Sequence, residues 1–124
     1  MTAQEITLTI PQSEWLTANG RYHWAHRARA TRALRWRAHT TARSQDMRPM
    51  GPSRVTVAVA YPTAASADPD NAAPTVKALI DGLVDAGVWP DDNSRWRTHT
   101  DYTRAPGKAP WGTHTITIRI EEEE

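Results

Sequence analysis

The sequence predicts one small α/β (α+β) domain, a mixed sheet of about four strands packed with two main helices. Three observations predict it: apolar alternation at Ile6, Leu8, Ile10, at Val55, Val57, Val59 and at Ile116, Ile118, Ile120; a run from Tyr22 to Ser44 without proline or glycine; and an i, i+3, i+4, i+7, i+8 apolar series after Pro74. At 124 residues the chain suits one core and is short for two ordinary domains. The expected division is a domain over 1–120 and an acidic, solubilising tail over 121–124.

Taken in order, Ile6 to Ile10 alternate with threonines as a short strand stopped by Pro11, and Trp15 to Gly20 form a loop. The long helix from Tyr22 to Ser44 gathers Trp24, Ala28, Leu34, Ala38 and Ala42 on one side, with Arg27 and Arg35 among them. Arg48-Pro49-Met50-Gly51-Pro52 breaks the chain before a second strand at Val55 to Tyr61. Pro74 opens the second helix at its first turn, Val76, Leu79, Ile80, Leu83 and Val84 form its apolar face, and Gly87 stops it. A third strand presents Trp96, Thr98, Thr100 and Tyr102 opposite Arg97, His99 and Asp101, and Ile116 to Ile120 form the fourth.

The composition narrows the chemistry. Absence of cysteine excludes disulfides, thiolate metal sites and a cysteine nucleophile. Residues 1–10 carry neither a basic leader nor a long apolar run, so a soluble, cytoplasmic protein without a membrane partner is expected. The net charge of +1 conceals an asymmetry, because without Glu121 to Glu124 fifteen basic residues face ten acids. Eight arginines and one acid, Asp46, lie between Arg21 and Arg48, while most remaining acids fall between Asp68 and Asp101. The helix arginines suit a phosphate backbone, with Arg95, Arg97 and Arg104 second to them. His23 and His26 have ligand-like spacing, but no cysteine or nearby glutamate completes a zinc set. Of the six tryptophans, most are expected in the core, which has no phenylalanine, while Trp24 and Trp36 are placed to stack on unpaired bases.

The densest chemistry lies in Asp68-Pro69-Asp70-Asn71, Lys77 and Asp91-Asp92. In extended backbone, Asp68 and Asp70 fall on one face about 6.5–7 Å apart, within reach of a hard cation. Lys77 lies one turn into the second helix, and helical side chains lean towards the N-terminus, which aims its ammonium back at that pair. Only one of Asp91 and Asp92 can point at the same spot. The same residues also make good turns, and Lys77 with Asp81 is an i, i+4 pair.

Asp68-x-Asp70-Asn71, Lys77-Ala78-x-x-Asp81-Gly82-Leu83 and Ala86-Gly87-Val88-Trp89-x-Asp91-Asp92, with Asn19-Gly20-Arg21-Tyr22 after the first strand, resemble the signature of the RusA family of Holliday junction resolvases. The motif block covers about a fifth of the chain. The resemblance implies a RusA-like fold and a small homodimeric endodeoxyribonuclease that resolves four-way DNA junctions by paired symmetric nicks in recombination and repair. Such proteins are often phage- or prophage-borne and act in the bacterial or infected-host cytoplasm. It implies Asp68, Asp70 and Asp92 as catalytic ligands of Mg²⁺, with Mn²⁺ as a substitute, and Lys77 as the catalytic lysine. Ala72-Ala73-Pro74 lengthens the Asp70 to Lys77 spacing relative to the shortest members. DNA contacts are expected from Asn19, Arg21, Arg27, Arg29, Arg32, Arg35 and Arg37. The alternatives are a non-catalytic DNA-binding accessory protein, or a metal-dependent nuclease for other branched DNA or RNA.

Overall fold

Alternation produces the sheet. In β1 (Ala3–Pro11) Ile6, Leu8 and Ile10 are buried while the threonines between them face solvent. The same period buries Val55, Val57 and Val59 of β2 (Ser53–Ala60) and Ile116, Ile118 and Ile120 of β4 (Thr113–Glu122). A computed structural model describes residues 2–65 and 67–123. With β3 (Arg97–Arg104), the strands lie in the order β1-β4-β2-β3. The register stacks like with like: Ile6 faces Ile118, Leu8 faces Ile116, and Val57 faces Ile118 from the other side. The opposite face carries Thr7 bonded to Thr117 and the Arg119 pairs with Glu5 and Glu121, so only one face joins the core.

β1–β4 and β4–β2 are antiparallel, whereas β2–β3 is parallel. A parallel pair needs a crossover, and α2 (Ala73–Asp85) supplies it. Thr75, Val76, Leu79, Ile80 and Leu83 are buried in α2, and Gly87, at φ +90°, closes it. There the Gly87 N–H donates to the Val84 carbonyl and the Val88 N–H to that of Leu83. Val88 and Trp89 then return into the core, which fixes where the following acidic turn begins. α1 (Trp24–Ser44) lies across α2.

α1 buries Leu34, Ala38 and Ala42 as expected, but its stripe begins at Ala30 rather than at Trp24 and Ala28. Ala30, Leu34, Ala38 and Ala42, each four residues from the last, form its buried line, while Trp24 is 77% exposed and Ala28 only half-buried. Small side chains win because α2 approaches closely: a Cβ on Gly82 would stand 2.2 Å from the Arg35 carbonyl oxygen and 2.8 Å from the Ala38 methyl. Helix α1 also begins at Trp24 rather than Tyr22, because His23 caps it by accepting from the Ala25 N–H through Nδ1.

The acidic end is not a detached tail. Glu121 and Glu122 continue β4, paired with Ala3 and Arg54 and with Ser53 respectively. The Glu122 carboxylate accepts from the Gly51 N–H, the Glu123 N–H donates to Pro52, and the Glu123 carboxylate accepts from Thr98. Ladder hydrogen bonds use backbone alone, so a polyacidic sequence extends a strand wherever its neighbours offer an edge. Glu124 lies outside the described residues. Of the tryptophans, Trp15 and Trp89 are buried and Trp96 packs against the core, Trp24 and Trp36 are exposed, and Trp111, 93% exposed, is the one that departs from a place in the core.

Candidate active site

The connection between the parallel strands carries every residue of the acidic motif. Open sheets bind ligands outside the carboxyl ends of parallel strands, and the chain leaves β2 there before reaching Asp68. Asp68 is extended, at φ −78° and ψ 123°, but Pro69–Ala72 form a 3-10 helix closed by the Asn71 N–H donating to the Asp68 carbonyl. Strand alternation therefore does not present Asp68 and Asp70 side by side. Proline's fixed φ followed by Asp-Asn favours the turn over the extended form. Among the described residues neither carboxylate makes a hydrogen bond or ion pair with protein.

The 3-10 helix is held against the loop after β1. The Ala18 N–H donates to the Asn71 carbonyl at 2.9 Å, and the Asn71 amide donates to Asn19 Oδ1 at 3.1 Å. The fully buried Thr75 hydroxyl donates to the Leu16 carbonyl at 2.7 Å and accepts from the Leu16 N–H at 2.8 Å. Asn19 thus ties two loops together through its oxygen while the residue stays exposed. Thr75 has no motif to mark it, yet it joins α2 to the loop beside the acidic residues.

Lys77 does not lean back towards Asp68 and Asp70. Its ammonium donates to Asp81 at 2.9 Å and to Asp92 at 2.5 Å, both on the other side of its own turn. Two carboxylates outweigh the intrinsic lean of a helical side chain. Asp92, only 5% exposed at its side chain, receives Lys77 on one oxygen and the Arg97 guanidinium, at 2.9 Å, on the other. Burial would raise the Asp92 pKa, but the hydrogen bonds from Arg97 and Lys77 prevail and hold it below the ordinary carboxylate value. The hydrogen bond to Asp92 is the main cause that raises the Lys77 pKa, so Lys77 is a fixed cation and not a base.

Arg97 reaches this position through a β-bulge. Ser53 pairs with Arg97, but Arg54 pairs with His99, so Thr98 is an extra residue and Arg97 turns to the same face as Thr100. There it donates to the Thr100 hydroxyl at 2.6 Å as well as to Asp92. Simple alternation places Arg97 on the opposite face, which hides its role behind that of the helix arginines. Tyr102 stands on this face too. Its pKa is raised, first by burial, with Arg97 opposing and the charges of Asp70 and Asp92 adding, so both carboxylates bear on one hydroxyl.

Asp91 caps its own turn, accepting from the Asp92 N–H and from the Asn93 amide. Among the described residues no three acidic or histidine side chains converge closely enough to hold a metal ion. The expected cage of Asp68, Asp70 and Asp92 is therefore not assembled, because Asp92 is taken by two cations. The donor chemistry does fit a smaller set: Mg²⁺ characteristically uses one or two carboxylates with water and substrate phosphate, and Asp68 and Asp70 leave hard oxygens uncommitted.

The arginines divide. Arg35 makes a bidentate pair with Asp85, and Arg37 one with Glu14, so both serve the fold. Arg27 lies 5.8 Å over the Tyr22 ring. Arg21, Arg27, Arg29 and Arg32 remain exposed without an acidic partner among the described residues. No helix of the described residues is long and apolar enough to cross a membrane. No protein-family model matches this chain, and no curated protein matches it.

Proposed function

We propose that this chain is a magnesium-dependent, structure-selective endodeoxyribonuclease of RusA type that resolves four-way DNA junctions as a homodimer in the cytoplasm. One observation carries the reading: Asp68 and Asp70, whose carboxylates have no protein partner among the described residues, lie in the same β2–β3 connection whose buried Asp92 holds Lys77 and Arg97, and the charges of Asp70 and Asp92 both bear on the Tyr102 hydroxyl. Asp68 and Asp70 would hold Mg²⁺, which when bound supplies a nucleophilic water and charge for the scissile phosphate. Lys77 and Arg97 face a phosphate with donors that need no reorganisation. Asp92 orients both by holding one from each carboxylate oxygen, and Arg21, Arg27, Arg29 and Arg32 add phosphate contacts along the DNA.

The test is nicking of a synthetic four-way junction against plain duplex, with and without Mg²⁺ and with Mn²⁺ in its place. Junction-selective nicking that needs the metal and is lost in Asp70→Asn, with junction binding retained, is the expected result. Without metal, Asp70→Asn removes negative charge and cannot weaken attraction to phosphate, so junction binding is compared there; normal cleavage by this variant with Mg²⁺ overturns the assignment. A second reading is favoured by the commitment of Asp92 to an ion pair: a DNA-binding accessory protein that cuts nothing. Binding to junctions without nicking under any metal supports it. Preference for flap or RNA substrates in the same assay assigns the chemistry to another branched nucleic acid.

A further inference from the structure

We propose that the outward face of α1 holds a single strand of nucleic acid, with one unpaired base stacked on Trp36 and the backbone on Arg29, Arg32 and Arg43. This rests on the nucleic-acid part of the function proposed above and not on the cutting. Arg29, Arg32, Trp36, Thr40 and Arg43 are all exposed, and their spacing of i, i+3, i+7, i+11 and i+14 follows one helix face for about 21 Å. That face is opposite the buried line of Ala30, Leu34, Ala38 and Ala42.

The arginines of α1 divide by face. Arg35 and Arg37, on the flanks, are spent on Asp85 and Glu14, whereas Arg29, Arg32 and Arg43 have no acidic partner among the described residues. Uncompensated guanidinium groups along an exposed line attract a polyanion, and an aromatic ring among them supplies the surface on which a base stacks. Trp36, 65% exposed, is the one large apolar side chain on this line.

The indole stands between two hollows, both of which it lines together with Thr40. One of them contains Glu14 and Arg37, already paired with each other. The other, about 590 Å³ and open to solvent, is lined by His39, Arg43 and Ser44 and has no carboxylate among its described walls. There the His39 ring meets Trp36 at 80° with centroids 5.5 Å apart, so the two rings form a corner and are not stacked on each other. The Thr40 hydroxyl donates to the Trp36 carbonyl at 2.9 Å and is thereby folded onto the helix. A nucleotide in this hollow finds an aromatic wall for its base and a guanidinium for its phosphate. Other occupants suit the face less. A second copy would set Arg29, Arg32 and Arg43 against like charges. A bilayer takes up a helix by a whole apolar face, and this one offers a single large apolar side chain.

The experiment is fluorine NMR of the metal-free full chain containing 5-fluorotryptophan, titrated with oligothymidylate, a duplex of the same length, inorganic polyphosphate and phosphatidylserine vesicles. The Trp36 signal, identified by its loss in Trp36→Tyr, is expected to move with oligothymidylate and to stay in place with the other three. Trp36→Ala, at a position too exposed to carry the fold, is expected to weaken oligothymidylate about tenfold, and Trp36→Tyr, which keeps an aromatic face, to weaken it far less. Arg43→Ala is expected to flatten the dependence of log K for oligothymidylate on log salt by about 0.7. No binding of oligothymidylate, undiminished binding by Trp36→Ala, an equal loss in both Trp36 variants, an unchanged salt slope in Arg43→Ala, or a Trp36 signal that moves as far with duplex, polyphosphate or vesicles each overturn the proposal. Junction nicking by the wild type with undiminished strand binding by Trp36→Ala overturns the strand site and leaves the nuclease reading standing. Strand binding through Trp36 without nicking under any metal does the reverse.

Discussion

Asp92→Asn separates two roles for the same carboxylate by the sign of its effect on stability. A carboxylate crowded by other acids and awaiting a metal destabilises the metal-free fold, so neutralising it stabilises. A carboxylate holding Lys77 and Arg97 does the opposite. Its side chain is 5% exposed, and removing one partner of a buried pair costs about 3–5 kcal/mol. That figure must be discounted, because Lys77 is 58% and Arg97 25% exposed, and exposed pairs contribute only about 0–1 kcal/mol. The expected loss is about 1–3 kcal/mol, or a fall in Tm of about 5–10 °C for a domain of this size. Urea unfolding followed by tryptophan fluorescence measures it, with Asp70→Asn as a control expected within about 0.5 kcal/mol of wild type. The pH dependence has a fixed sign. Because folding lowers the Asp92 pKa, its contribution is present above the unfolded value of about 3.9 and is lost as pH falls through the lower folded value. Lys77 is raised, so its share is present below about 10.4 and is lost as pH climbs through the folded value. The difference between wild type and Asp92→Asn should be full near pH 7, close at acid pH, and narrow only in part at alkaline pH, where Arg97 keeps its charge. A variant at pH 7 as stable as wild type, or more stable, refutes the assignment of Asp92 as the holder of two cations.

Two further outcomes follow from the helices. Gly82→Ala gains up to about 1 kcal/mol of helix propensity but forces apart a helix pair whose Arg35 carbonyl lies 2.2 Å from the new methyl, so a net loss of about 1–2 kcal/mol is expected in the urea midpoint. Replacing Arg29 and Arg32 together by alanine should flatten the dependence of log K for DNA on log salt by about 0.9 for each phosphate that is no longer neutralised, as read by fluorescence anisotropy. Arg35→Ala, which breaks a pair with Asp85, should lower the melting temperature and leave that slope unchanged.

The sheet and α2 were legible in the sequence because each buries one face of a regular period. Val55, Val57 and Val59, or Leu79, Ile80 and Leu83, announce their buried face through side-chain hydropathy alone. α1 was legible at Leu34, Ala38 and Ala42 but not at its start, because its buried line is mostly alanine, which contrasts little with its surroundings, and Gly82 on another helix, with no side chain, lets the helices approach there. The strand formed by Glu121 and Glu122 was hidden because backbone ladders leave no mark in side-chain chemistry. The site shows the same limit more sharply. Residue types and order single out Asp68, Asp70, Lys77 and Asp92, but which charge meets which is set by single-residue geometry. One extra residue at Thr98 turns Arg97 to the face where Asp92 waits, and one 3-10 turn at Pro69 removes the alternation that would have set Asp68 beside Asp70. A period of two reads a face correctly only while the register is unbroken, and the irregularities fall where the charged side chains are gathered. His114 is the extreme case. It sits in a strand of alternating isoleucines at a position the period assigns to the core, and only the contacts of Trp15 and Tyr61, from distant parts of the chain, make it the centre of an aromatic cluster.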